Sequence, residues 1–295
     1  HIFLFVIWSI LFFGCFFWHT LKLASICLIL WVSIAFKLYI YDKMIKTKNI
    51  DNIFIVFLIF HLILWTLIPA LTNQNLPLDT IEALAWGSNL DWGFSKHPPL
   101  SALFVEFFYQ IFGNNDWAYY LLSQLFVIFS FFIIWNFSKE FLESKHLSII
   151  ALMLLEGVFF YNFTTPEFNV NICQLPFWAL TIHYSWKCYQ NDKILDWILL
   201  GIFLAAGFLS KYLFIYLIIG VKLFFCYLVL NQKKFKFNYL IPTLIFLILL
   251  TPHLFWLKEN NFETILYGLN RSSLENFNFL NHFINPIILI SKQII

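Results

Sequence analysis

The chain has 295 residues, of which 61% are hydrophobic and only 12% charged, with a formal net charge of +2. A soluble domain carries about a quarter charged residues, and 39 Phe with 12 Trp make more apolar surface than one water-soluble core hides, so lipid is the natural solvent. The net charge says nothing about nucleic acid; there is no basic stripe of interleaved aromatics, and no nucleic-acid partner is expected.

A membrane helix needs about 20 apolar residues. Runs between charged or turn-forming breaks predict spans at 2–18, 21–41, 52–71, 116–137, 147–163, 168–189, 194–210, 212–230 and 239–256, with a tenth beginning near 280. The expected fold class is therefore all-α, a polytopic transmembrane helix bundle. The chain starts at His1 and stops at Ile295, each inside an apolar run, so a truncated bundle is expected. The first run lacks a basic leader and a small-residue cleavage site, so it does not read as a signal peptide. Cys15, Cys27, Cys173, Cys188 and Cys226 lie in or beside apolar runs without a CxxC spacing; they read as small membrane-buried residues.

Lysines set the orientation. Lys37, Lys43, Lys46 and Lys48 precede the third run, Lys139 and Lys145 follow the fourth, Lys187 and Lys193 the sixth, and Lys233, Lys234 and Lys236 the eighth. These are alternate loops, so all are cytoplasmic together. The opposite side receives 72–115, 164–167, the turn at Ser210 and Lys211, and 257–279. Those segments hold acids and bases mixed, which suits either a reaction site or plain solvated loops.

The longest outer segment, 76–100, reads LPLDTIEALAWGSNLDWGFSKHPPL. Pro77 and the pair Pro98-Pro99 bracket it, and prolines favour helix starts and turns. Ile81, Leu84, Ala85 and Trp86 recur at helical spacing, which predicts a surface helix over 79–90 with Asp79 and Glu82 on one side of its first turn. Acids at a helix start are also common capping groups. A second short helix is expected over 99–112, carrying Glu106. Lys96 and His97 stand in the turn before the prolines, where Lys suits either a phosphate or lipid headgroups. Glu167, in TTPEFNVN, follows a proline and is expected to begin a helix. Lys211 sits at an outer turn that the positive-inside rule disfavours, so an anionic ligand is a reason for it. His253 lies in the segment 251–256 that ends the ninth run, and Arg271, the chain's lone arginine, follows in a polar stretch rich in Asn; Arg binds phosphate in bidentate fashion. His61 and His183 lie in helical runs and read as core or interfacial residues. No glycine-rich phosphate loop, GxSxG, HExxH or Cys/His cluster is present.

The stretch LPLDTIEALAWGSNLDWGFSKHPPLSALF resembles the first outer loop of bacterial glycosyltransferases related to protein O-mannosyltransferases, whose closer kin include the lipid A aminoarabinose transferase. Those enzymes share an acid after a membrane helix, a WG pair, and a basic residue before Pro-Pro-Leu. TTPEFN, GFLSKY and TPHLFWLKENNF resemble later outer loops, so the likeness spans about 52–290. It implies the GT-C architecture over 52–295, with 1–51 as extra N-terminal helices and a basic loop. It also implies a bacterial inner-membrane location with the site facing the periplasm. The implied donor is an undecaprenyl-phosphate sugar and the implied acceptor lipid A, lipopolysaccharide or protein. The family's loop carboxylate maps onto Asp79. Many relatives have an adjacent Asp-Glu pair, whereas here Thr80 intervenes and the second acid is Glu82. The family's basic residue maps onto Lys96 or His97. Relatives usually place one span before this loop, not three, and continue beyond this chain's length. The resemblance implies inverting transfer with Asp79 and Glu82 as catalytic groups. Lys96, His97, Glu167, Lys211, His253 and Arg271 would bind substrate. Asp79 acts as base, stabilises the anomeric centre, or holds a divalent metal; the sequence does not choose. The rival reading is a transporter or flippase of lipid-linked sugars, kept open by the intramembrane charges Glu156 and Lys222, with a structural subunit as a further alternative.

Overall fold

The computed structural model describes residues 50–142, 144–233, 235–272 and 284–288. The expected spans 2–18 and 21–41 lie outside these residues, as does most of the run expected near 280. In lipid every backbone polar group must be bonded within its own segment, so long apolar runs become helices. The chain order is α1 (Ile50–Thr72), α2 (Leu78–Gly87), α3 (Leu100–Phe112), α4 (Asp116–Ser138), α5 (Lys145–Glu156), α6 (Val170–Asn191), α7 (Ile194–Ser210), α8 (Ile215–Gln232), α9 (Ile241–Glu259) and α10 (Glu263–Ser272), with no strand among the described residues.

Both α1 and α4 have 23 residues, which at 1.5 Å each give about 35 Å, enough to cross a hydrocarbon core of about 30 Å. The segments Tyr212–Gln232 and Phe237–Glu259 are also long and apolar enough to cross; each begins as a 3-10 turn that runs into α8 or α9. Helix α1 packs on α4, α4 on α6, α6 on α7 and α7 on α9. Of the four apolar spans, α4 is the most enclosed, 56% buried against 28% for the others, which makes it the inner post. Phe54 stacks on Trp135 at 4.6 Å between α1 and α4. A second cluster, around Trp197, Leu200, Phe214 and Phe225, joins α7 to α8.

Ion pairs collect where the lysine-rich loops fall. Asp51 at the start of α1 meets Lys145 at the start of α5, 2.6 Å apart. Asp192, in left-handed backbone geometry (φ 52) after α6, accepts bonds from Lys236, Asn238 and the Trp197 indole. These residues share one end of the bundle, the inner end on the expectation from the lysine loops. The segments 73–115, 157–169, 211–214 and 260–272 stand at or toward the opposite end, the outer one on the same expectation.

Several expectations need correction. The run 147–163 is not a span: α5 stops after 12 residues at Glu156, and 157–169 is irregular. Gly157, Asn162, Thr164, Thr165 and Pro166 interrupt the helix with turn-forming and backbone-bonding side chains. The surface helix starts at Leu78 on Pro77, so Asp79 lies in its first turn and Glu82 beyond it. Glu167 does not begin a helix; Asn169 caps α6 by accepting the N–H groups of Asn171 and Ile172. Helix α9 runs three residues past the expected end at 256, to Glu259, so His253 lies inside it. Arg271, expected in a polar stretch, lies in the helix α10, which exposes Ile265, Leu266 and Leu269. Lys222 lies within the apolar span that contains α8, where its ammonium donates to Thr243 of α9.

Candidate active site

Pro77 fixes the start of α2, and α2 lies across α3 because Gly87 has no side chain: a Cβ there would stand 2.7 Å from the Ala102 carbonyl oxygen. This packing aims Asp79 and Glu82 the same way. They line a cleft of about 230 Å³ together with Ala83, Trp86, His97, Ser101, Asn169 and Val170. Trp86 forms an aromatic wall, stacked on Phe94 and meeting the His97 ring edge-on.

Glu82 and Lys96 form an ion pair at 2.5 Å, about one-third exposed. The hydrogen bond to Glu82 pushes the Lys96 ammonium above its ordinary pKa, and Asp79 and Tyr267 add to this. His97 behaves oppositely. Burial first, then the charges of Lys211, Lys96 and Arg271, lower it to about 4, against a smaller pull from Glu82. At neutral pH it is an uncharged imidazole.

Glu167 reaches across from the segment before α6 and accepts the backbone N–H of Asp79 at 3.2 Å. Beside it the Thr80 hydroxyl donates to the Phe168 carbonyl at 3.1 Å. Burial raises the Glu167 pKa, as does the negative charge of Asp79, while its bonds from Asp79 N–H and Asn169 oppose this. Lys211, at the end of α7, donates to the Asn171 side-chain oxygen. Burial lowers its pKa, the nearby Arg271 lowers it further, and Asp79 raises it.

His253 is fully buried and does not line the cleft. Its Nε2 lies 2.7 Å from the Tyr212 hydroxyl and its Nδ1 2.6 Å from the Trp92 carbonyl oxygen. The next contact outward is Gly93 on the face of Trp256, where a Cβ would stand 2.3 Å from the indole ring. Thr264 at the start of α10 donates to the Phe94 carbonyl at 2.6 Å. His253, Trp256 and Thr264 thus fasten the loop 88–97 to the end of α9 and to α10.

The structure therefore brings Asp79, Glu82, Lys96, His97, Glu167, Lys211 and Arg271 into one electrostatic neighbourhood and sets His253 behind it. Residue-type reasoning missed Ser101, Asn169, Asn171 and Tyr267. The asparagines lie within TTPEFNVN, where they signal a cap; nothing in the sequence marks Tyr267. Among the described residues no three His, Cys, Asp or Glu come together as metal ligands.

The fold and this cleft define a polytopic helical membrane protein with a cleft of mixed acids and bases at one end. Residues 96–256, more than half the chain, match the family described as dolichyl-phosphate-mannose-protein mannosyltransferase, and the chain belongs to that family of GT-C glycosyltransferases. Lys96, His97, Glu167, Lys211 and His253 fall inside the matched residues; Asp79, Glu82 and Arg271 flank them. The chain is also 30% identical over 108 residues to the undecaprenyl phosphate-alpha-4-amino-4-deoxy-L-arabinose arabinosyl transferase of Wigglesworthia glossinidia brevipalpis, an alignment covering 34% of this chain and 18% of that protein. The chain thus spans under a fifth of that relative by alignment. No solved structure matches.

Proposed function

We propose that the chain acts as a membrane glycosyltransferase, moving one sugar from a polyprenyl-phosphate carrier to an acceptor at the outer face, the periplasmic side of a bacterial inner membrane. One observation carries this reading. Lys211, partly buried, rests on a neutral amide with the like-charged Arg271 as neighbour and Asp79 as the offsetting charge. Burying a cation beside another cation is unfavourable; an anionic phosphate between them turns that cost into attraction. The family's description and the relative's name both speak of polyprenyl-phosphate sugars as donors.

In the reaction, an acceptor oxygen forms its bond to the anomeric carbon as the bond from that carbon to the carrier phosphate breaks. The electron pair leaves with the phosphate and the configuration inverts. Lys96, Lys211 and Arg271 stabilise the negative charge that builds there. Glu82 orients Lys96 through their ion pair. His97, uncharged, offers a hydrogen bond without adding charge. With a hydroxyl acceptor, Asp79 takes its proton as general base; with a phosphate acceptor on lipid A no proton moves, and Asp79 stabilises the positive anomeric centre. His253 holds the loop and does not touch substrate.

The test is mass spectrometry of lipid A, lipopolysaccharide and surface glycoproteins from strains lacking the gene, complemented with wild type or with Asp79→Asn. Loss of one sugar, restored by wild type and not by Asp79→Asn, is expected. An unchanged glycome with altered uptake of a lipid-linked sugar would overturn the transferase reading in favour of a transporter.

A further inference from the structure

A second polar cluster lies outside the cleft lining, halfway along α1. His61 is eleven residues from either end of α1, and Glu156 ends α5 about 17 Å along that helix from its inner start. Both are buried, with 1% and 5% exposure. His61 Nδ1 lies 2.8 Å from Glu156 Oε2 as an ion-pair contact. The cluster continues through Gln124 of α4 to Thr165, both fully buried. Irregular backbone at membrane depth survives only where protein satisfies its polar groups. The segment 157–169 is such backbone, and this cluster supplies its partners. Asn162 donates to the Glu156 carbonyl at 2.6 Å, Thr165 donates to the Asn162 carbonyl at 2.7 Å, and Ser123 donates to the Thr165 carbonyl.

The donors and acceptors order themselves. The Thr165 hydroxyl spends its proton on the Asn162 carbonyl, so it accepts from the Gln124 amide nitrogen at 3.2 Å. The Gln124 amide oxygen then faces His61 Nε2 at 3.0 Å and can only accept, so Nε2 carries a hydrogen. The His61 Nδ1 faces one oxygen of the Glu156 carboxylate, whose other oxygen accepts from the Trp65 indole at 3.3 Å.

Two residues beyond Thr165 stands Glu167, which holds the Asp79 N–H, and then Phe168, which holds the Thr80 hydroxyl. We propose that His61, Gln124 and Thr165 are positioning residues for the outer cleft: they anchor the segment 162–168 at mid-membrane, and Glu167 and Phe168 transmit that anchor to α2 and Asp79. The proposal rests on the cleft being the site described above. It assigns a structural task to buried groups that a transporter reading would treat as a proton or ion path.

The test uses the whole chain in nanodiscs, with Thr165→Val, Thr165→Ser and Glu156→Gln. Amide hydrogen exchange is followed at 77–88 and 163–170, alongside binding of undecaprenyl phosphate. Thr165→Val should speed exchange in both segments about tenfold and weaken undecaprenyl phosphate binding by a similar factor, leaving 194–210 and 241–252 unchanged. Thr165→Ser keeps the hydroxyl and should restore both. Glu156→Gln should match wild type, because its amide nitrogen can donate to Nδ1 while its oxygen still accepts from Trp65. Unchanged exchange at 77–88 in Thr165→Val, equal acceleration everywhere, or a Glu156→Gln variant that behaves like Thr165→Val would overturn the proposal. If wild type fails to bind undecaprenyl phosphate, the transferase reading falls while the exchange data still decide the anchor.

Discussion

Glu82 and Lys96, fourteen residues apart in the chain, meet at 2.5 Å on the edge of the cleft. The pair is partly exposed, so its worth to folding is small, about 0–1 kcal/mol. Its consequence is for the direction of the ammonium. Lys96→Ala is expected to slow transfer by about 10²-fold, and Glu82→Gln by less. Because Glu82 acts through Lys96, the double variant should be no worse than Lys96→Ala alone. Transfer rates in membranes from the four strains check this; fully multiplicative losses would separate the two residues.

His97 gives the protein an acid-sensitive joint. Its folded pKa, about 4 against an ordinary 6.5, is held down first by burial and then by neighbouring cations. The folded state thus binds the proton less readily than the unfolded chain. The stability this contributes is complete above pH 6.5 and is lost as pH falls from 6.5 toward 4, by up to about 3 kcal/mol. His97→Gln should flatten that slope, read from melting temperatures in detergent between pH 4 and 7.

Glu167 works in the other sense. Burial first, and the charge of Asp79 next, raise its pKa above the ordinary 4.5. A raised carboxylate contributes stability below the ordinary value and loses it as pH rises through the folded pKa. At neutral pH the charge therefore costs stability. Glu167→Gln keeps an oxygen for the Asp79 N–H and removes the charge, so it should melt higher than wild type at pH 7, with the gain vanishing toward pH 4. A variant that melts lower at pH 7 would refute the sign.

Gly93 admits no side chain. A Cβ would stand 2.3 Å from the Trp256 indole, and aromatic rings in a packed wall do not yield cheaply. Gly93→Ala should cost about 1–3 kcal/mol and loosen the loop that carries Lys96. Adding Trp256→Leu should relieve the clash and recover part of the melting temperature; a Gly93→Ala protein as stable as wild type would mean the loop rests elsewhere.

The long apolar helices were legible because lipid demands continuous runs. The match of 52–71 and 116–137 to α1 and α4 follows from length alone. The run 147–163 misled because its aromatic residues kept it apolar after the helix had ended, and composition does not register that Asn162 and Thr165 spend themselves on backbone. The alternation of lysine loops foretold which turns would share an end, so Asp79, Lys96, Glu167, Lys211 and Arg271 were legible as neighbours. What each touches was not. That Glu167 holds a backbone N–H rather than capping its own helix, that His253 faces inward, and that His61 has partners on α4 and α5 depend on contacts between residues more than forty apart. No local pattern encodes those.

The fastening of the first outer loop reaches far along the chain. The Trp92 carbonyl waits for His253, and the Phe94 carbonyl for Thr264, 161 and 170 residues later. During synthesis, then, α1 to α4 enter the bilayer carrying acids and a lysine in a loop with nothing to close on. The cleft becomes whole only when α9 has been threaded and α10 has settled on the surface. A nascent chain would pass most of its insertion without that geometry.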